Sequence, residues 1–171
     1  MNKEVLELLN EQIWLENHSS NYYLNLAIEF ETQGFKGLST FFFNQSDEET
    51  THKLKLIHYI IERGSKPILP RYNYIEPYEE TFDVLFHFSN SLVQEKKISN
   101  HVSKVIYKCR EVQDIMTDNF MQWYVTEQLE EEAVAKTLLD KLTIIGDDKS
   151  GHYLFDRDIN SIVSSASTDK E

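Results

Sequence analysis

The chain has 171 residues, of which 40% are hydrophobic, and carries a formal net charge of −12 at pH 7. This length and composition fit one globular domain, and the negative charge argues against a nucleic-acid partner, which requires a basic face. The single cysteine, Cys109, excludes an internal disulfide and a cysteine-based metal motif. The N-terminal segment lacks the apolar stretch of a secretion signal, and no run approaches the ~18 apolar residues of a membrane span. We therefore expect a cytoplasmic protein without a membrane partner.

Apolar residues that recur at three- and four-residue steps predict four long amphipathic helices and a shorter fifth one. Glycines or short polar segments follow each long pattern, as is usual where helices end. Only five glycines and three prolines are present, which favours long uninterrupted helices. The predicted helices cover about residues 3–33, 38–63, 81–109, 114–145 and 153–163.

All three prolines lie between the second and third helices, within residues 65–80. This segment is too long for a tight turn, and we expect it to run as an extended crossover along the bundle. Two hairpins joined by one long crossover predict an all-α, four-helix bundle of up-down-down-up topology. We expect a single domain over residues 1–163 and a polar, disordered tail over residues 164–171.

Five ionisable residues interrupt the apolar seams of the four helices. They are Glu16 on the first helix, Glu49 and His52 on the second, Glu95 on the third and Glu131 on the fourth. A carboxylate in a dry core is unfavourable unless a partner compensates its lost hydration. Residues three or four positions apart share a helix face, so Glu49 and His52 project side by side. A single buried glutamate is readily explained by an ion pair or a hydrogen bond, but five such residues near the helix centres favour a pair of divalent cations.

The donor types restrict the metal. Carboxylate oxygens with one imidazole nitrogen suit iron, manganese or zinc, and do not suit Cu(I) or an iron–sulfur cluster. Glu49 lies between the two halves of the predicted site and is the natural bridging ligand.

A second group of acids surrounds the same layer. Glu48, Glu127 and Glu130 lie beside the seam residue Glu131, and either a solvated face or a third, weaker cation site would explain them. Tyr23 is either a core aromatic or a hydrogen-bond donor to a metal-binding carboxylate, because a buried hydroxyl needs a partner. Gln128 can donate to a ligand or to bound water.

Three stretches of the chain resemble the non-haem bacterial ferritins: residues 9–12 (LNEQ), 47–52 (DEETTH) and 122–132 (QWYVTEQLEEE). The similarity extends from about Leu9 to Ile162 and includes the order of the helices. The resemblance implies a ferritin-like four-helix bundle whose short fifth helix surrounds a fourfold axis in a hollow shell of 24 subunits. It also implies a ferroxidase that oxidises Fe(II) with O2 or H2O2 and stores ferric mineral inside the shell.

The same resemblance implies roles for individual residues. The haem-binding relatives carry a second histidine on the fourth helix and a methionine after the bridging glutamate. Here these positions are Glu130 and Thr50, so we expect no haem. The implied first iron site is Glu16, Glu49 and His52, the second is Glu49, Glu95 and Glu131, the third is Glu48, Glu127, Glu130 and Glu131, and the neighbouring donors are Gln128 and Tyr23.

Two other functions remain open from the sequence. One is a shell that buffers metal without catalysing its oxidation. The other is a di-metal oxygenase that acts on an organic substrate, which would need a substrate pocket beside the metals and no shell.

Overall fold

The computed structural model describes residues 1–69 and 82–168, and for residues 165–168 it describes the backbone alone. These residues form helices and contain no strand, which confirms the all-α prediction. None of the described helices is long and apolar enough to span a membrane. The helices are α1 (Lys3–Thr32), α2 (Lys36–Glu62), α3 (Val84–Glu111), α4 (Ile115–Ile145) and α5 (Lys149–Thr168).

Side-chain caps fix most of the helix starts, because the first backbone N–H groups of a helix have no partner within it. Asn2, Asp83 and Asp114 accept hydrogen bonds from the first turns of α1, α3 and α4. The residue preceding α2 provides no such bond. Instead, Asp156 of α5 accepts a 2.9 Å hydrogen bond from the N–H of Leu38. The fifth helix therefore completes the start of the second.

Gly37 allows α5 to approach α2 this closely. A Cβ atom at position 37 would lie 1.7 Å from the carbonyl oxygen of Asp156, which is a backbone atom that cannot move independently. The contact also buries Phe155 and Ile159 of α5 against the bundle. The fifth helix can therefore dock in this position only because residue 37 has no side chain.

Buried apolar residues form two clusters at opposite ends of the bundle. One contains the end of α1 and the starts of α2 and α3, where Phe30 stacks on Phe42 at 5.3 Å and Phe42 lies 5.2 Å from Phe88. The other contains the start of α1 and the ends of α2 and α3, including Leu9 and Ile60. Helices α1 and α4 therefore run in one direction, and α2 and α3 run in the other.

The parallel course of α2 and α3 requires a connection that travels the length of the bundle, because α2 ends in one cluster and α3 begins in the other. This agrees with the up-down-down-up prediction. Residues 70–81, which include most of the crossover predicted over residues 65–80, lie outside the described residues, and the extended conformation of the crossover stays a prediction.

The bounds of the four long helices agree with the sequence to within three residues, and the fifth helix is longer than predicted. It begins at Lys149 because Asp148 accepts hydrogen bonds from the N–H groups of Ser150 and Gly151, at 3.1 and 3.0 Å. It continues to Thr168, and the disordered tail over residues 164–171 stays a prediction. Residues 169–171 lie outside the described residues.

Candidate metal centre

The ionisable seam residues lie in the layer between the two apolar clusters. Along each helix, the ionisable residue comes after the residues that pack in one apolar cluster and before those that pack in the other. Glu16 is 0% exposed, Glu49 4%, His52 3% and Glu95 1%, while Glu131 is half-buried. The four helices therefore deliver these side chains to one internal layer.

Glu16, Glu49 and His52 form a compact group. Each offers one ligand atom, and these atoms all lie within 4.8 Å of one another. The Nδ1 atom of His52 is 3.5 Å from Oε2 of Glu49. Ligand atoms about 2.0–2.2 Å from one ion lie at most ~4.4 Å apart, so small side-chain movements are enough to close this group on a cation.

Two buried carboxylate oxygens of this group have no hydrogen-bond partner among the described residues. Oε1 of Glu16 accepts a 2.8 Å hydrogen bond from Nε2 of Gln12, whereas Oε2 of Glu16 and Oε2 of Glu49 accept none. Leaving a buried acceptor unsatisfied costs about 1–3 kcal/mol, and more when it is charged. A cation held between these oxygens and His52 would satisfy both of them.

The electrostatics favour the same conclusion. Burial raises the pKa of Glu16 well above its ordinary value of 4.5, and repulsion from Glu49 raises it further. The pKa of Glu49 is also raised, first by burial and then by repulsion from Glu95. Burial is again the main reason why the pKa values of Glu95 and Glu131 are raised. A bound cation would stabilise the ionised carboxylates, so its binding releases protons.

The predicted second half is arranged differently. One oxygen of Glu95 accepts a hydrogen bond from the Tyr23 hydroxyl, and the other accepts a 3.0 Å hydrogen bond from Nε2 of Gln128. Within residues 1–69 and 82–168, Glu49, Glu95 and Glu131 do not gather into a group of ligand atoms within 4.8 Å. Both oxygens of Glu95 are held by donors, which explains the looser arrangement. The second iron site therefore stays a prediction.

A second compact group lies on the other side of the His52 ring. Glu48, His52 and Glu127 offer ligand atoms within 4.8 Å of one another, and Nε2 of His52 lies 4.0 Å from Oε2 of Glu127. The sequence placed Glu130 and Glu131 with Glu48 and Glu127, but the described group contains His52 in their place. Glu130 is exposed and does not join it. Which residues join this group depends on the directions of their side chains, and helix periodicity does not specify those directions.

Three residues that support the site were not among the sequence candidates. Gln12 holds Glu16, as described above. The ring of Trp123 packs edge-on against His52 with centroids 5.2 Å apart, and the Tyr124 hydroxyl donates a 2.7 Å hydrogen bond to the His52 carbonyl. The four-residue spacing between Gln12 and Glu16 was a usable signal, because it places both on one helix face.

Comparison with known proteins agrees with this geometry. Residues 6–145 match the ferritin family, described as a ferritin-like domain. A probable bacterial non-heme ferritin-like protein of Haemophilus influenzae is 34% identical over 166 residues, covering 97% of this chain and 99% of that protein. A bacterial non-heme ferritin of Campylobacter jejuni is 34% identical over 165 residues, covering 96% and 98%. An open pore ferritin from Archaeoglobus fulgidus superposes with a TM-score of 0.86 at 33% identity, covering 93% and 97%. The chain belongs to the ferritin family.

Proposed function

We propose that this protein stores iron and oxidises Fe(II) to Fe(III) at a paired site inside each subunit. Membership of the ferritin family supports iron storage and ferroxidase activity at the level of the family. One observation carries the proposal for this chain. Within the part of the chain that the structure describes, Glu16 and Glu49 each present a buried oxygen without a hydrogen-bond partner, in a group with His52 whose ligand atoms lie within 4.8 Å of one another.

Each residue has a distinct task. Glu16 and His52 bind the first Fe(II), and Glu49 is shared with the second. Glu95 and Glu131 complete the second position once Glu95 turns from its present hydrogen bonds. Each Fe(II) gives up one electron, and the oxidant, O2 or H2O2, accepts both. Carboxylates favour this reaction because hard anionic donors stabilise Fe(III) more than Fe(II).

The neighbouring donors orient these ligands. Tyr23 and Gln128 hold Glu95, and Tyr124 anchors the backbone of His52. Glu48 and Glu127, with Glu130 nearby, form a third position through which iron leaves the pair. We further propose a cytoplasmic shell of 24 subunits in which the ferric product accumulates. The net charge of −12 is consistent with a protein that handles cations.

Rapid mixing of the metal-free protein with Fe(II) and dissolved oxygen tests the ferroxidase. We expect Glu49→Ala and His52→Ala to lower the initial oxidation rate by at least ~100-fold, since even residues behind the ligands change metal affinity by 10–100-fold. Glu62→Ala, at an exposed position on the same helix, is the matched control and keeps the parent rate. Unchanged initial rates in both ligand variants would contradict the assignment.

Two further measurements separate the alternatives. Iron binding without rapid oxidation would favour a shell that only buffers metal. Sedimentation of the protein as a monomer or dimer at working concentration would contradict storage in a shell.

A further inference from the structure

Lys55 of α2 rests on the ring of Trp123 of α4, next to the metal centre. Its ammonium nitrogen lies 3.6 Å from the centroid of the Trp123 ring. The Trp123 ring in turn meets the His52 ring at an angle of 82°, with the two centroids 5.2 Å apart. Lys55 follows His52 by three residues, so the two side chains share a face of α2. The three side chains therefore connect a positive charge, through an aromatic ring, to a proposed metal ligand.

The Lys55 ammonium lies on this ring although carboxylates are close to it. Burial raises the pKa of Glu127, and the charge of Lys55 is near enough to oppose that rise. Even so, Lys55 forms no ion pair with a carboxylate within the part of the chain that the structure describes. A cation over the face of tryptophan is attracted by the electron density of the ring. The geometry therefore favours a role for Lys55 that is exerted on Trp123.

The ring of His52 has no hydrogen bond to fix it among the described residues. Its Nδ1 atom is 3.5 Å from Oε2 of Glu49 and its Nε2 atom is 4.0 Å from Oε2 of Glu127, whereas N–H···O hydrogen bonds are about 2.7–3.2 Å long. A metal-binding histidine usually donates its second N–H to a carboxylate or carbonyl, which sets the orientation of the ring. Here Tyr124 holds the backbone carbonyl of His52 instead. The orientation of the imidazole thus depends on packing, and the ring of Trp123 lies closer to it than that of Tyr124.

We propose that Lys55 is a positioning residue for His52: its ammonium holds the Trp123 ring in place, and that ring orients the imidazole for metal binding. The inference rests on the proposed function. Simple electrostatics predicts the opposite effect of Lys55, because a positive charge beside a cation site repels the cation. Removal of the charge would then strengthen metal binding, whereas loss of positioning weakens it.

Replacing Lys55 with methionine tests the proposal, because methionine keeps a long flexible side chain and loses the charge. Calorimetric titration of the metal-free protein with Co(II) is expected to show about tenfold weaker binding in Lys55→Met, the lower end of the range for residues behind metal ligands. Lys55→Arg should stay within about threefold of the parent, because a guanidinium also stacks on aromatic faces. The control, Lys104→Met, removes one charge at an exposed position and leaves Co(II) affinity unchanged.

A double-mutant cycle shows whether Lys55 acts through the tryptophan. Trp123→Leu should weaken Co(II) binding at least as much as Lys55→Met does. The double variant should bind Co(II) no more weakly than Trp123→Leu alone, since the lysine has then lost the ring through which it acts. Thermal unfolding of the metal-free variants establishes that each one is folded.

Three results would overturn the proposal. They are Co(II) binding in Lys55→Met that is as tight as in the parent or tighter, no recovery of affinity in Lys55→Arg, and losses that multiply in the double variant. Each leaves the ferroxidase assignment intact as long as the parent binds Co(II) and oxidises Fe(II). A parent protein that does neither would contradict the proposed function itself, and the positioning role with it.

Discussion

Replacing Glu16 with glutamine is expected to stabilise the metal-free protein while weakening its metal binding. Glu16 is 0% exposed, and its Oε2 atom has no hydrogen-bond partner in residues 1–69 and 82–168. A buried, unsatisfied acceptor costs about 1–3 kcal/mol. Glutamine has nearly the same shape, keeps an oxygen that accepts from Gln12, and turns an N–H toward Glu49. We therefore expect the free energy of unfolding to rise by about 1–3 kcal/mol at pH 7, or roughly 2–10 °C in Tm.

The stability gained by Glu16→Gln is expected to depend on pH, and the raised pKa of Glu16 determines the direction of this dependence. Burial, followed by repulsion from Glu49, raises the folded-state pKa of Glu16 well above its ordinary value of 4.5. Between these two pKa values the folded state binds more protons than the unfolded state. Stability of the metal-free parent therefore falls as pH rises from about 4.5 toward the raised pKa, and the loss is complete above it. The advantage of Glu16→Gln should be small near pH 4.5 and largest above the raised pKa.

Thermal unfolding followed by circular dichroism from pH 4.5 to 8, with a chelator present, measures the effect. Addition of Co(II) then tests the function, because a ligand that binds only the folded state raises Tm. The parent is expected to gain stability from Co(II), and Glu16→Gln to gain much less. Glu62→Gln, at an exposed position, serves as the control. A metal-free Glu16→Gln protein that is no more stable than the parent at pH 7 would refute the reasoning.

Three further predictions concern packing, ligand orientation and a partly buried ion pair. Gly37→Ala places a methyl group 1.7 Å from the Asp156 carbonyl oxygen, and we expect it to displace α5 and lower stability by about 2–4 kcal/mol through overpacking and loss of the cap, measured by thermal unfolding and by proteolysis of α5. Gln12→Met removes the donor to the buried carboxylate of the first site and is expected to weaken Co(II) binding by about 10–100-fold in a calorimetric titration. Burial raises the pKa of Asp114, but hydrogen bonds from Arg63 and Thr117 together outweigh burial and lower it. Asp114→Asn should therefore cost about 1–3 kcal/mol above pH 4, and denaturant unfolding should show this cost shrinking as pH falls through the lowered pKa.

Matched control variants distinguish these effects from non-specific destabilisation. Gly34→Ala lies at an open position with a positive φ of 89°, so it reports the backbone cost of losing glycine without any clash. Gln122→Met changes an exposed glutamine and should leave Co(II) affinity unchanged. If α5 docks as stably in Gly37→Ala as in Gly34→Ala, the proposed clash at position 37 is contradicted. An Asp114→Asn cost that is constant with pH would contradict the ion-pair account.

Periodicity alone determined the number of helices, their order and the seam residues that enter the bundle. Glu16, Glu49, His52 and Glu95 all proved to be buried in one layer, as their spacing predicted. This success has a simple cause, because a residue's position along an amphipathic helix fixes both its depth and its face. Leu85 shows the limit of the method: it lies three residues before the buried Phe88, a spacing that favours the same helix face, yet it is 39% exposed, while His87 is buried. Successive residues are rotated by about 100° around a helix. The few apolar residues at a helix end do not determine that rotation to within one residue.

Only the tertiary structure decided how the side chains within that layer pair. Glu95 is held by Tyr23 and Gln128, which come from two other helices, and His52 stands between two acidic groups. The close contact of Gly37 with Asp156 likewise joins residues far apart in the chain. The sequence by itself specified which residues face inward, because that depends on local helix geometry. Hydrogen bonding and close packing between helices depend on distances and rotamers that exist only after the helices have assembled. The partners of each carboxylate therefore had to come from the structure.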